Sequence, residues 1–103
     1  MRETYVTELD ESMRSGATLI DVRERWEFDQ GHVPGSRNIP MAHLHDGLAG
    51  VDRDHPVLLI CASGNRSGAM VDVARAAGYD ARNVSGGIAA WMRAGRPVAA
   101  GVR

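Results

Sequence analysis

Cys61 is the only cysteine in 103 residues, and its neighbours are the kind that activate a thiol. The stretch Leu58-Leu59-Ile60-Cys61-Ala62-Ser63-Gly64-Asn65-Arg66-Ser67 carries an apolar run into the cysteine and follows it with a small polar loop. A thiolate, rather than a thiol, is the nucleophile, and a free cysteine titrates near ~8.5. At a helix N-terminus, or beside a cation, that value falls to roughly 3.5–7.5. Gly64 lets the loop turn its backbone N–H groups inward without a Cβ penalty, and Ala62 and Ser63 are small enough to leave the concavity open. Arg66 adds a full positive charge.

One cysteine forms no internal disulfide, so three roles are open to it: buried filler, reactive group or intermolecular linker. The polar loop and Arg66 favour the reactive group. All twelve basic residues are Arg. The lack of Lys excludes Schiff-base chemistry on a lysine of these residues.

Thr18–Val22, Val57–Cys61 and Ala81–Val84 read as short strands. The second, apolar at every position before the cysteine, suits a central strand covered on both faces, which implies parallel pairing. Thr7 is placed to cap a first helix on which Leu9 and Met13 repeat at i, i+4 and which Gly16 ends. A short helix covers Glu24 to Asp29, and another runs through Met41 to Leu48. From Arg66 to Ala77, the residues Met70, Val73, Ala74 and Ala77 make an apolar stripe with Gly78 as the stop. A last helix runs from Ile88 to Arg93. Strands alternating with helices predict an α/β domain with a mostly parallel sheet. In such sheets ligands bind beyond the carboxyl ends of the strands, which is where Cys61 falls.

With 44% hydrophobic residues and a net charge of −1, the chain is expected to form one domain over residues 1–103 around a single core. Its basic and acidic residues are interspersed, unlike the basic stripe that holds nucleic acid. No run reaches the roughly 18 apolar residues of a membrane span, and the N-terminus lacks a signal-like apolar stretch, so a cytoplasmic location is expected.

Three segments together resemble the rhodanese-like sulfurtransferase domains. Asp21-Val22-Arg23 through Glu27-Phe28, Gly31-His32-Val33-Pro34-Gly35 and Asn38-Ile39-Pro40 is similar to the family's first signature. Cys61 to Ser67 is similar to its active-site loop, and Gly86-Gly87 through Trp91, with Gly95-Arg96-Pro97, to its C-terminal signature. The resemblance implies a three-layer α/β/α fold with a central five-stranded sheet. It implies a sulfurtransferase in which Cys61 takes the outer sulfur of a small-molecule donor such as thiosulfate as a persulfide. The sulfur then passes to cyanide, a cellular thiol or an acceptor protein. On this reading the N–H groups of Ala62, Ser63, Gly64, Asn65, Arg66 and Ser67 hold the persulfide, Arg66 assists anion binding, and Asp21 and Arg23 give structural support. No cofactor or metal is expected. With no second thiol in the chain to capture the persulfide, the acceptor must be external.

Two other readings belong to the same fold. Related cysteine phosphatases and arsenate reductases place five residues between Cys and Arg, whereas Ala62 to Asn65 make four, a tighter loop that favours sulfur. A non-enzymatic binding or redox-sensing module would use the same cysteine through oxidation. The position after the cysteine, basic in many thiosulfate-using members, is Ala62 here, which leaves Arg66 as the loop's only charge. His32 is expected to stabilise a turn, His43 and His45 to lie in solvent, and Trp26 and Phe28 to pack the second helix on the sheet. Trp26, Met41 and Met92 are candidates for an exposed apolar patch.

Overall fold

The computed structural model describes residues 2–101, so residues 1, 102 and 103 of the expected domain lie outside the described residues. Strand β4 (Val57–Ile60) is buried at all four positions, as its unbroken apolar sequence requires. Its side chains alternate between the two faces of the sheet. Val57, Leu59 and then Cys61 enter one core with Ile20, Leu44, Leu48, Val71 and Ala74. Leu58 and Ile60 enter the other with Leu9, Leu19, Val84, Ile88 and Trp91. Each face must therefore be covered by helices, which gives the expected three layers.

β4 is flanked by β2 (Thr18–Asp21) and β5 (Ala81–Ser85), and the edges are β3 (Arg37–Asn38) and β1 (Glu3–Tyr5). The five-stranded order is β1-β5-β4-β2-β3, and every pairing is parallel. From β2 the chain moves outward to β3, and from β4 it moves the other way to β5. The loops leaving Asp21 and Ile60, which are register partners, therefore separate and open a crevice at the strand ends.

The helices are α1 (Leu9–Arg14), α2 (Arg25–Gln30), α3 (Leu44–Gly47), α4 (Asn65–Ala76) and α5 (Gly87–Arg93). Three expectations need correction. Thr7 lies inside a 3-10 turn (Val6–Glu8) and does not cap α1; the Glu8 carboxylate instead accepts the Tyr5 N–H and the Thr4 hydroxyl, both at 3.1 Å. The buried face of α4 is Ser67, Gly68, Val71 and Ala74, with Met70, Val73 and Ala77 only at its margin. Two small residues in the first turn let α4 sit close to the sheet, which rotates its inward face away from the larger side chains. The expected helix at 41–48 splits into a 3-10 turn (Met41–His43) and the four-residue α3.

Candidate active site

The alternation of β4 aims Cys61 at the N-terminus of α4, and the residue is fully buried, with 0% exposure. Two contacts turn the backbone that follows it. The carbonyl of Cys61 accepts the Ile88 N–H at 2.9 Å, and that of Ala62 accepts the Ala89 N–H at 3.0 Å. The free N–H groups at the start of α5 are thus spent on these carbonyls, which are directed outward. The loop N–H groups are left facing the sulfur. Gly87 permits the approach: its φ is +58°, and a Cβ there would collide with Cys61 O and come within 2.7 Å of Ala62 O.

Gly64, at φ +100°, is the N-cap of α4 and donates its N–H to Cys61 Sγ at 3.1 Å. The Ser67 hydroxyl, in the first turn of the same helix and fully buried, lies 3.3 Å from Sγ. Burial alone pushes the thiol up. The Ser67 hydroxyl and the backbone N–H groups of Ser67, Gly64 and Ser63 together outweigh it and set the Cys61 thiol below its ordinary value. Ala62 is half-buried, while Ser63 and Asn65 are exposed.

Arg66 reaches away from a purely anion-binding position. Its two terminal nitrogens grip Glu27 of α2 at 2.8 and 2.9 Å, so its charge arrives at the loop as half of a bidentate ion pair. Glu27 also accepts the Glu24 N–H at 3.0 Å, capping α2. The Arg66 hydrogen bond, opposed by burial, holds the Glu27 carboxyl below its usual value, and the same bond raises the Arg66 guanidinium. Sequence reasoning assigned Glu27 no role, although it stands in the first of the three signature segments.

Asp21 and Arg23 form a buried fork at the end of β2, with Nε 2.9 Å from Oδ1 and Nη2 2.7 Å from Oδ2. Arg23 also donates to Gly31 O at 2.7 Å, and the Asn38 amide donates to the carbonyls of Asp21 and Arg23. The Asp21 carboxylate also accepts the Arg23 N–H at 3.0 Å, so the pair ties the β2 exit to Gly31 at the end of α2. Asn83, 5% exposed, was missed as well. Period-2 alternation in β5 places it on the same face as Ala81, and a buried amide on a core face signals a hydrogen-bond network. It joins Ser67, 2.6 Å away, to Gly64 O at 3.1 Å.

His32 is buried, stacks on Phe28 and donates from Nδ1 to Phe28 O at 2.8 Å, as expected of a turn residue. Phe28 is buried, but Trp26 is 64% exposed, because residues two apart on a helix point to opposite sides. Met41 packs on the core containing Cys61 and so is not part of an exposed patch. Trp26 and Met92 do share a surface groove of about 270 Å³ with Glu27, Ile88 and Val98. His43 and His45 are exposed, and no cluster of three His, Cys, Asp or Glu suited to a metal occurs among the described residues. No helix among them is long and apolar enough to cross a membrane.

Comparison with known proteins agrees with this geometry. YqhL of Bacillus subtilis is 40% identical over 86 residues, which is 80% of this chain and 68% of YqhL. The HTH-type transcriptional regulator Rv0324 of Mycobacterium tuberculosis is 39% identical over 83 residues, and the matched part is 79% of this chain but only 37% of the regulator. A probable adenylyltransferase/sulfurtransferase, MoeZ of the same species, is 37% identical over 82 residues, 77% of this chain and 21% of MoeZ. The structure of a rhodanese-related protein from Thermoplasma volcanium superposes with a TM-score of 0.86 at 35% identity, covering 96% of this chain and 98% of that one. The family model for the rhodanese-like domain matches residues 5–94, and the chain belongs to the rhodanese-like domain family.

Proposed function

We propose that the chain is a sulfurtransferase of rhodanese type in which Cys61 is nucleophile and sulfur carrier. The observation that carries this reading is the buried Cys61 sulfur at the start of α4, which accepts the Gly64 N–H at 3.1 Å and lies 3.3 Å from the Ser67 hydroxyl. The Cys61 thiolate attacks the outer sulfur of a donor such as thiosulfate, the donor's S–S bond breaks, and sulfite leaves with the bonding pair. The product is a Cys61 persulfide whose terminal sulfur is anionic at neutral pH. The inward backbone of residues 62–67 and the start of α4 offer that anion N–H groups and a partial positive charge. Cyanide, a cellular thiol or an acceptor protein then takes the terminal sulfur, and Cys61 leaves as thiolate, closing a two-step covalent cycle. With Cys61 covered, each half-reaction requires local opening of the loop. Asp21 and Arg23 support the loop from β2.

Thiocyanate formation from thiosulfate and cyanide tests this. The wild-type chain turns over and Cys61→Ser does not; activity that persists in Cys61→Ser overturns the assignment. The full cover over Cys61 favours one second reading, a module that binds a partner without turnover. It predicts no thiocyanate from the wild type and partner binding that survives Cys61→Ser.

A further inference from the structure

Asn83 stands one contact behind the sulfur. Its amide nitrogen donates to Gly64 O at 3.1 Å and to Glu3 Oε2 at 3.3 Å. Both partners only accept, so reversing the amide would press its oxygen against two others. Oδ1 is therefore fixed toward Ser67 Oγ, 2.6 Å away. An amide oxygen cannot donate, and so that contact requires the Ser67 hydroxyl proton. The same hydroxyl lies 3.3 Å from Cys61 Sγ. One proton thus has two claimants.

We propose that Asn83 is a positioning residue that draws the Ser67 hydroxyl proton away from Cys61 while the sulfur is protonated and yields it when the sulfur becomes an anion. In the thiol state, Cys61 S–H donates to Ser67 Oγ and Ser67 O–H to Asn83 Oδ1. On ionisation the S–H bond breaks, its proton passes to water, and the hydroxyl turns about Cβ–Oγ onto Sγ beside the Gly64 N–H. Nothing is oxidised or reduced. Asn83 Oδ1 loses its donor in that state, so its presence holds the thiol higher than Ser67 and the loop N–H groups alone would set it. In the persulfide the inner sulfur carries neither proton nor charge, and the hydroxyl returns to Asn83. The charged groups around this cluster are Arg66 with Glu27 of α2, Asp21 at the end of β2 with Arg23 just beyond it, and exposed Glu3 of β1 beyond the amide. Replacing Asn83 leaves the two ion pairs in place.

The test is the pH dependence of Cys61 alkylation, unambiguous because the chain has one thiol. Asn83→Leu, which keeps the bulk and removes the acceptor, lowers the midpoint by about 0.5–1 pH unit, the scale of one hydrogen bond. Ser67→Ala raises it, and Asn83→Leu added to Ser67→Ala changes nothing further. A midpoint that stays or rises in Asn83→Leu overturns the proposal. So does a fall of equal size without Ser67, which would mean that Asn83 acts only through Gly64 and the loop. If Asn83→Leu does not fold, Asn83→Ala makes the same comparison without added branching. The proposal rests on Cys61 being the reacting sulfur, but the titration needs neither donor nor acceptor. A Ser67-dependent shift in a chain that transfers no sulfur separates failure of the sulfurtransferase reading from failure of this one.

Discussion

Desolvation and hydrogen bonding oppose each other at Cys61, and the outcome can be measured directly. Burial disfavours the thiolate, while one hydroxyl and three backbone N–H groups favour it and prevail. The alkylation midpoint of the wild-type chain is expected below the ordinary thiol value of ~8.5; a midpoint at or above that value contradicts the site as described. The sign for stability follows. Because the folded thiol lies below its unfolded value, ionised Cys61 stabilises the fold. That contribution is complete above the unfolded pKa and is lost as pH falls through the folded one, so denaturation midpoints rise with pH across this window in the wild type and stay flatter in Cys61→Ser. The placement of Cys61, Gly64 and Arg66 at the turn from β4 into α4 is legible in the sequence, because a lone thiol, a glycine and a cation after an apolar run stand out by type. Glu27 and Asn83 are not: a carboxylate on a short helix and an amide in a strand acquire roles only from the partners that tertiary structure brings, 39 and 16 residues away in sequence.

At the scale of elements, the junction of β4, α4 and α5 is what aims the loop, and Gly87 is its tightest point. Gly87→Ala sets a Cβ against two carbonyls at a positive φ, so the start of α5 must move away from Cys61 and Ala62. The expected cost is about 2–3 kcal/mol by chemical denaturation, with sulfur transfer reduced in parallel. Gly50 also has positive φ, but a Cβ there would meet no atom within 4 Å, so Gly50→Ala costs only the conformational part, about 1 kcal/mol, and leaves transfer unchanged. Equal losses at the two sites would contradict the junction's role. β4 is legible as an apolar run and β2 as a shorter one around Leu19-Ile20, while β5, with Arg82 and Asn83 inside it, is legible only as a short stretch between Gly78 and Gly86. β1 and β3 are not, because three residues that include Glu3 and Thr4, and the pair Arg37-Asn38, carry no periodicity; they are strands because a neighbour's edge accepts them. The stripe on α4 misleads for a related reason. Hydrophobicity marks Met70 and Val73, but closeness of approach is decided by the small residues Ser67 and Gly68.

Across the whole molecule, two cores on opposite faces of one sheet meet different surfaces, and the two tryptophans report the difference. Trp91 is 2% exposed in the core containing Leu9 and Ile60, and its indole N–H donates to Pro97 O at 2.8 Å. Trp91→Ala is expected to cost about 3–5 kcal/mol. Trp26 lies on the outer side of α2, and Trp26→Ala should change stability by no more than about 0.5 kcal/mol. Denaturation of both variants checks the pair, and a large loss at Trp26 would mean that the exposed side of α2 is covered in solution. That both tryptophans pack inward is the natural reading of composition alone; only the turn angle of a six-residue helix already anchored through Phe28 sends one of them out.

Everything proposed for the site turns on Cys61 carrying sulfur. The most direct test is an intact mass spectrum of the reduced chain after brief exposure to thiosulfate, run beside Cys61→Ser. A sulfur carrier gains one sulfur atom in the wild type, removed by cyanide and absent from the variant. No gain on a reduced, alkylatable Cys61, or the same gain in Cys61→Ser, would contradict that role.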